Sequence, residues 1–298
     1  MNPTKKKDLV LLGRHKVSPL PYFFIAPALI LFGMFTIYPF LRTIALSFTL
    51  TNKYGNPTKF VGLKMWERVL TKAEFWECIL TTLKVAGINL VGTFLIAMLF
   101  ALLSTKQTPG GKIYQTMFAL PMAIASSPAA AIFLFIFRQK NGLLNSLLNT
   151  SVAWLQNMNT AIWVVCLVTI WMHVGSSFIF LLVGFRNVPD ELIESSVLDG
   201  ANFWQRMWNV LLPVASPQIF FVLFLNISSS FKSFAQIKLL TQGGPVQSTT
   251  TLIYYIYKNA MIDGRFETAC IQAIFLFVMI FVITRIQFAL EKKVVYYQ

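Results

Sequence analysis

One short stretch of the sequence, from Asp190 to Gly200, combines four carboxylates with two serines and a glycine. The acidic residues that follow Pro189 favour a helix start, because the positive N-terminal end of the helix dipole stabilises their negative charge. Gly200 then ends that helix, since glycine adopts backbone angles that other residues avoid. A second helix is predicted from about Ala201, so the pattern indicates two short helices joined by a sharp turn.

The second of these helices is amphipathic. Trp204, Trp208 and Leu211 recur at helical spacing and form one apolar stripe, while the positions between them include polar residues. Such a stripe suits a helix that lies on a membrane surface. An ordinary amphipathic loop can show the same stripe. These residue types can serve binding, and they do not form a catalytic set.

A second set of polar residues lies within two long apolar stretches. The set comprises Thr169, Trp171, His173, Ser176 and Ser177 in one stretch and Asn226, Ser229, Ser230, Lys232 and Ser233 in the other. Polar groups are costly in hydrocarbon, so these should face a bundle interior or an aqueous cavity. Hydroxyls, an amide and a nearby Trp suit a polyol. Each serine taken singly has the alternative role of a small helix-packing residue.

The sequence lacks the patterns that catalysis or metal binding would need. The Gly110-Gly111-Lys112 run lacks the earlier glycine and the following Ser or Thr of a phosphate loop. His173 has no acidic partner nearby in sequence, and Cys78, Cys166 and Cys270 show no metal-ligand spacing. The chain is therefore predicted to be no enzyme and to hold no cofactor or metal, so that energy must come from a partner.

The composition places the chain in a membrane. Hydrophobic residues make up 56% of its 298 residues, charged residues only 12%, and the mean hydropathy is +0.64. The net charge of +14 comes from Lys and Arg that flank apolar runs instead of forming a basic face, which argues against nucleic-acid binding.

Six stretches are long enough to cross a bilayer, which takes roughly 20 apolar residues of helix. They run approximately over residues 21–41, 80–103, 113–137, 161–185, 214–234 and 268–286. The predicted fold is all-α, a polytopic protein with six transmembrane helices in a single domain, residues 17–298, behind a cytoplasmic N-terminal tail, residues 1–16.

The charge pattern gives only one guide to orientation. Six spans put both termini on one side, and the basic tail around Lys5 to Lys7 favours the cytoplasm. With the termini inside, however, the opposite side receives nearly as many cations as the cytoplasmic side. Notable among them are those between the first two spans, Lys53, Lys59, Lys64, Arg68 and Lys72.

The stretch around Gly200 resembles a family motif. Glu194-Ser-Ser-x-x-x-Gly200, followed after nine residues by Val210-x-Leu212-Pro213, is similar to the cytoplasmic EAA loop of ABC-importer permeases. Ser195 and Ser196 replace its two alanines, and Val210 replaces an isoleucine. The resemblance implies that the loop at 187–213 forms a coupling helix between the fourth and fifth spans, which fits a groove on the ATP-hydrolysing subunit. The residues implied in that contact are Glu194, Ser195, Ser196, Asp199, Gly200, Ala201 and Pro213.

Two further stretches resemble the carbohydrate-uptake branch of these permeases, the maltose and glycerol-3-phosphate type. One is Leu240-Thr-Gln-Gly-Gly-Pro245 with Thr249 to Tyr257, and the other is the N-terminal Pro21 to Pro27 with Tyr38-Pro39. The resemblance covers the chain from about Pro21 to its end. It implies a second, unlike permease, two ATPase subunits that bind ATP and Mg, and an external solute-binding protein as partners.

The same resemblance implies positions that contact the solute. They are Trp171, Met172, His173, Ser176, Asn226, Ser229, Ser230, Lys232 and Ser233. The implied cargo is a sugar or sugar-like solute, and Lys232 leaves open an anionic one such as glycerol 3-phosphate. A self-sufficient secondary transporter is the distant alternative, which would show inverted repeats and interrupted helices in matching halves.

Overall fold

The computed structural model describes residues 20–105 and 111–295, and helices dominate this part of the chain. Five single helices are long and apolar enough to cross a membrane: span 1 Tyr22–Leu46, span 2 Ala73–Leu103, span 4 Met158–Arg186, span 5 Ser216–Leu240 and span 6 Phe266–Lys292. A bent pair, Gly111–Ala123 and Ser126–Ile136, forms span 3. The predicted tail at 1–16 and the cations Lys5 to Lys7 lie outside the described residues.

Shorter elements connect the spans. They are the strands β1 Thr49–Thr51 and β2 Pro57–Phe60, and the helices Lys64–Leu70, Leu143–Leu148, Asp190–Leu198, Phe203–Arg206, Leu212–Val214 and Leu252–Tyr257, with π-helical turns at Gly33–Ile37, Met207–Leu211 and Lys258–Ile262. The two strands pair antiparallel as a hairpin, in which Thr49 faces Phe60. The predicted all-α membrane fold is confirmed.

The chain divides into two compact units, residues 1–45 and 46–298. In the first, the helix of span 1 contains Pro27 and continues through the π-helical turn into Tyr38–Leu46. Membrane helices tolerate proline in this way because neighbouring backbone geometry adjusts locally. Everything described below belongs to the second unit.

Span 2 begins earlier than the hydropathy indicates. The stretch Thr49 to Glu77, predicted as a mixed loop, holds the hairpin, a short helix and the first residues of span 2. Glu74 lies in the first turn of span 2, where a carboxylate is favoured by the helix dipole. Hydropathy therefore locates the apolar part of a span rather than its helical ends.

Span 3 is broken rather than continuous, in contrast to the single helix predicted for residues 113–137. Its halves meet at an angle of 102°, with Ile124 and Ala125 in extended conformation between them. Pro121 lacks a backbone N–H, and Pro128 occupies the first turn of the second half, where proline is tolerated. The two prolines account for a helix that ends and restarts within the span.

Contacts between distant loops indicate that this bent pair crosses the membrane. Thr51 donates a hydrogen bond to the Glu267 carboxylate, and a Cβ built on Gly264 would lie 3.6 Å from the Lys53 Cα. The loops at 47–72 and 241–265 therefore lie on one side, which requires an even number of crossings between them. Spans 2, 4 and 5 provide three, so span 3 provides the fourth.

The loop at 241–265 is held by side chains of span 2. Thr82 Oγ1 accepts from the Leu252 backbone N–H at 2.7 Å, and Cys78 Sγ donates to the Thr250 carbonyl at 3.1 Å. The Tyr255 hydroxyl donates to Glu74 at 3.2 Å. Burial and the adjacent Glu74 carboxylate raise the pKa of Tyr255 to about 12, so this donor keeps its proton at neutral pH.

Small residues let the central spans approach closely. Ala97 and Ala101 of span 2 are fully buried in a cluster with Phe178 and Leu181 of span 4. Span 5 joins them at Gly184, where a Cβ would lie only 2.6 Å from the Gln218 Cβ. Close backbone approach at small residues is the usual basis of membrane helix packing.

We expect Gly184→Ala to destabilise the bundle by about 1–3 kcal/mol, because the added methyl group must displace Gln218. Gly87→Ala is the matched control, since a Cβ there meets nothing within 4 Å. Thermal unfolding of both purified variants in detergent measures the difference. Equal melting temperatures would show that spans 4 and 5 are not packed in this way.

Candidate functional site

The segment from Asp190 to Val214 forms the predicted helix, turn and helix, and is called the helix–turn–helix segment below. Its first helix ends at Leu198, and Gly200 follows with a φ of +77°. The second helix begins at Phe203. Glycine adopts such a backbone angle with less strain than any other residue, so the turn favours Gly200.

A cap on the second helix was missed by the sequence analysis. The Asn202 Oδ1 accepts from the Gln205 N–H at 2.9 Å, and the Gln205 Oε1 accepts from the Asn202 N–H at 2.8 Å. This reciprocal arrangement satisfies two donors that a helix start leaves unpaired. The Asn-x-x-Gln spacing in the sequence is the signal that could have located it.

The outer face of the segment is open. Glu194, Ser195, Asp199 and Gly200 are exposed, and a Cβ on Gly200 would meet nothing within 4 Å. Leu198 is 88% exposed, with Phe203, Trp204 and Trp208 more than half exposed. The segment thus presents carboxylates and apolar side chains together.

The inner face of the segment is packed. Ser196 is buried, and its hydroxyl donates to the Ile193 carbonyl at 2.6 Å. Ile193 packs against a cluster that includes Phe185 and Val188, while Ala201 and Pro213 are half-buried. The inner face therefore packs against residues at the ends of spans 2, 4 and 5.

Spans 4 and 5 bring part of the predicted polar set together. The Ser177 hydroxyl donates to Asn226 Oδ1 at 3.0 Å, and both residues are buried. Ser230 and Ser233 are buried on the same span as Asn226, and Ser229 is half-buried. Two hydroxyls donate within their own helix, Ser176 to the His173 carbonyl and Ser229 to the Asn226 carbonyl. The Ser233 hydroxyl, beyond the end of that helix, donates to the Ser230 carbonyl.

Span 5 is interrupted next to this set. Its helices Ser216–Ser230 and Ala235–Leu240 are separated by residues 231–234, with Lys232 exposed at the break. A secondary transporter built of inverted repeats would show interrupted helices at matching positions of its two halves. Among the described residues, the breaks in spans 3 and 5 do not occupy matching positions.

Trp171 and Met172 lie in different surroundings from the serines. The Trp171 ring contacts the Phe133 ring edge to face, with 5.1 Å between the ring centroids. Trp171 also lines an apolar groove of about 950 Å³ between spans 2, 3 and 4. Met172 Sδ accepts from Gln236 Nε2 at 3.1 Å. Gln236 is buried and was not among the predicted residues, because an amide outside the apolar stretch gave no signal.

Some buried polar groups remain unsatisfied. Among the described residues, Asn226 Nδ2 and both polar side-chain atoms of Asn89 have no hydrogen-bond partner. Buried amides are normally paired with protein or water. Each of these groups would gain a hydrogen bond from a water molecule or a hydroxylated ligand that reached it. The described residues contain no cluster of His, Cys, Asp and Glu that could hold a metal ion.

Comparisons with known proteins identify relatives along nearly the whole chain. The family described as binding-protein-dependent transport system inner membrane component matches residues 93–296. The sn-glycerol-3-phosphate transport system permease protein UgpA of Escherichia coli is 31% identical over 283 residues, which covers 94% of this chain and 96% of that protein. The UgpA of Yersinia pestis is 32% identical over 290 residues, with 94% and 97% covered.

Solved structures share the fold. A chain of a bacterial ABC transporter involved in import of the acidic polysaccharide alginate superposes with a TM-score of 0.82 at 23% identity, covering 93% of this chain and 96% of that chain. A chain of the MetNI methionine ABC transporter gives a TM-score of 0.57 at 16% identity, covering 76% of this chain and all of that chain.

We expect Ser177→Ala to cost about 1 kcal/mol of stability, because it leaves Asn226 Oδ1 unpaired between two spans. Ser176→Ala is the control, since its hydroxyl only donates to a carbonyl of its own helix. Unfolding of both variants in mixed detergent micelles measures the two costs. Equal costs would contradict a stabilising bond between spans 4 and 5.

Proposed function

Because the chain belongs to the family of binding-protein-dependent transport system inner membrane components, we propose that it forms half of a translocation pathway for a sugar or sugar-like solute. It is a multi-pass inner-membrane permease of an ABC importer, a component without enzymatic activity of its own. The observation that carries the proposal is the exposed helix–turn–helix segment, whose packed inner face joins the ends of three spans.

ATP is hydrolysed in this proposal by two partner subunits, which bind the ATP and Mg and dock on the helix–turn–helix segment. Glu194, Ser195, Asp199 and Gly200 offer exposed contacts, with Ala201 beside them. Buried Ser196 and half-buried Pro213 would hold the segment in place. The bare surface at Gly200 supports a close fit, since a groove can approach the backbone there.

The solute passes, in this proposal, between this chain and a second, unlike permease. The residues assigned to the pathway are Trp171, Met172, His173, Ser176, Asn226, Ser229, Ser230, Lys232 and Ser233. The unpaired Asn226 Nδ2 beside serine hydroxyls supports a hydroxylated solute, which would supply the missing acceptor.

Orientation follows from the same proposal. If the helix–turn–helix segment meets the ATPase subunits, it lies in the cytoplasm, and so do both termini of a six-span chain. The domain assignment is then a tail at residues 1–16 and a single membrane domain at 17–298. The loops at 47–72, 137–157 and 241–265 face outward, where an external binding protein delivers the solute.

An anionic solute such as sn-glycerol 3-phosphate is the second candidate cargo. Lys232 is exposed at the break in span 5, where a cation could meet a phosphate or carboxylate. The UgpA relatives are named for sn-glycerol-3-phosphate transport.

We expect Gly200→Trp to abolish solute-stimulated ATP hydrolysis by the purified complex, because an indole at this position would prevent the ATPase subunit from docking close to the backbone. Gly200→Ala is the matched variant and should retain most of the stimulation, since its methyl group meets nothing within 4 Å and the positive φ costs about 1 kcal/mol. Hydrolysis is measured with the second permease, ATPase and binding protein present, against mono-, di- and trisaccharides and sn-glycerol 3-phosphate. Full stimulation in Gly200→Trp, or transport by this chain alone without ATP, would refute the proposal.

Lys232→Met separates the two cargo candidates. For an anionic cargo, we expect the half-saturating solute concentration to rise about tenfold or more, while Lys232→Arg keeps it near the wild-type value. For a neutral sugar, both variants should match the wild type. The stimulation of ATP hydrolysis over a range of solute concentrations gives the answer.

A further inference from the structure

The apolar groove of about 950 Å³ between spans 2, 3 and 4 lies on the outside of the second unit. Val91, Trp163 and Leu167 line it, and each is at least half exposed. On span 2 its lining residues run from Gly87 to Phe100, which is about 20 Å at 1.5 Å per residue. The hydrocarbon core of one leaflet is about 15 Å thick. The groove is therefore long enough to hold an extended acyl chain.

The groove offers space to fill but no charge of its own. Every residue that lines it is aliphatic, aromatic, a methionine, a glycine, a proline or a cysteine. A Cβ built on Gly87 would meet nothing within 4 Å, so open space begins at the backbone of span 2. Lining atoms without neighbours lose dispersion contacts, and a hydrocarbon chain would restore them. Membrane lipid is as apolar as the lining, however, so apolarity alone favours no lipid over another.

A cation lies at the end of the groove that Gly87 marks. Lys84 precedes the lining residues Gly87 and Ile88 by three and four residues, so it lies on the same face of span 2. Its side chain is exposed and within electrostatic reach of Cys166, another lining residue. Among the residues that the structure describes, no carboxylate pairs with it. Glu77, the acid on the same face, lies seven residues away, about 10 Å along the helix axis. The ammonium group can therefore take an anionic ligand.

The ammonium group can reach the level of the phospholipid headgroups. Span 2 begins at Ala73 and its strongly apolar part at about Leu80, so Lys84 lies about 6 Å inside that part. A lysine at such a depth extends its side chain toward the interface. Trp163 lies in the second turn of span 4, and tryptophan is enriched at the membrane interface. Both residues place this end of the groove at the interface, on the side of the hairpin.

Charge decides between the two kinds of occupant that an apolar groove in a membrane can have. A helix of another subunit would have to bring a carboxylate below the interface to pair with Lys84, and a charged residue there is costly. A phospholipid carries its phosphate at the interface with its acyl chains directly below, which matches the order of cation and groove. A lipid with net negative charge gains more at Lys84 than a zwitterionic lipid, since the latter brings a cation of its own. The arrangement therefore favours an anionic phospholipid.

We propose that the groove is a binding site for one anionic phospholipid, with its phosphate at the Lys84 ammonium group and one acyl chain along span 2 from Gly87 toward Phe100. The bound chain fills the space between spans 2, 3 and 4 and becomes part of their packing. The proposal rests on the placement of these spans in a membrane, and it holds for either orientation and for any cargo.

The test is native mass spectrometry of the complete transporter, released from mixed micelles that contain phosphatidylglycerol and phosphatidylcholine with identical acyl chains. We expect the most tightly held lipid of the wild type to be phosphatidylglycerol in preference to phosphatidylcholine. Lys84→Gln should lower that preference about fivefold, whereas Lys84→Arg keeps it, because one cation near a membrane surface contributes about that factor. Lys59→Gln, which removes an exposed lysine of the hairpin, is the control and should change nothing.

A second variant tests the groove apart from the charge. Gly87→Phe places a ring where a Cβ meets nothing within 4 Å, so it should fill the groove and expel the lipid without a clash. Gly33→Phe is the matched control, since a Cβ on Gly33 also meets nothing within 4 Å. Inorganic phosphate in excess should not displace the lipid, because it has no chain to fill the groove.

The proposal fails if Lys84→Gln or Gly87→Phe keeps the wild-type lipid preference, or if the wild type has none. A Gly87→Phe transporter that loses the second permease on purification, while Gly33→Phe retains it, would assign the groove to that subunit instead. None of these results contradicts the importer function, which solute-stimulated ATP hydrolysis tests separately.

Discussion

The structure depends on one constraint, that a chain in hydrocarbon must satisfy its backbone hydrogen bonds without water. Two spans break their helices, and both breaks are closed locally. The Ile124 N–H donates to the Pro121 carbonyl at 3.2 Å, and the Lys232 N–H donates to the Ser229 carbonyl at 3.0 Å. Pro121 beside the first break and Ser233 within the second are buried, whereas Ala125 and Lys232 are exposed, so each break is covered by protein on one side only. Irregular backbone at membrane depth is tolerated where protein or a cavity surrounds it, which makes the break in span 5 a natural place for a pathway.

Side chains in the bundle face the same constraint and meet it in two ways. Several serine and threonine hydroxyls donate to a carbonyl of their own helix, which leaves them free to act as small packing residues. Ser177 instead reaches Asn226 on another span. The layer around Asn226 is thus the part of spans 4 and 5 where hydrogen bonding is least complete, and where a hydroxylated molecule would gain most.

Hydropathy alone located all six spans, because every spanning helix must be long and apolar enough to cross the bilayer, however it packs against its neighbours. It could not show the break in span 3, since prolines in membrane helices cause anything from a mild bend to a complete interruption. The turn at Gly200 was predictable from local backbone preference. The Ser177–Asn226 pair was not, because 49 residues separate its members and only the packing of spans 4 and 5 brings them together. Gln236 was missed because it lies outside the predicted apolar stretch, and its contact with Met172 spans 64 residues of sequence.

The bond between Thr51 and Glu267 has a consequence for biogenesis. Its partners are 216 residues apart, so the hairpin is made long before the residue that holds it. At the usual 5–20 residues per second, about 10–40 seconds of synthesis separate the two. During that interval the basic hairpin has left the ribosome without its carboxylate partner. Truncation before span 6 would therefore leave a nascent chain with an exposed, cationic strand pair, a feature that membrane quality control could recognise as incomplete.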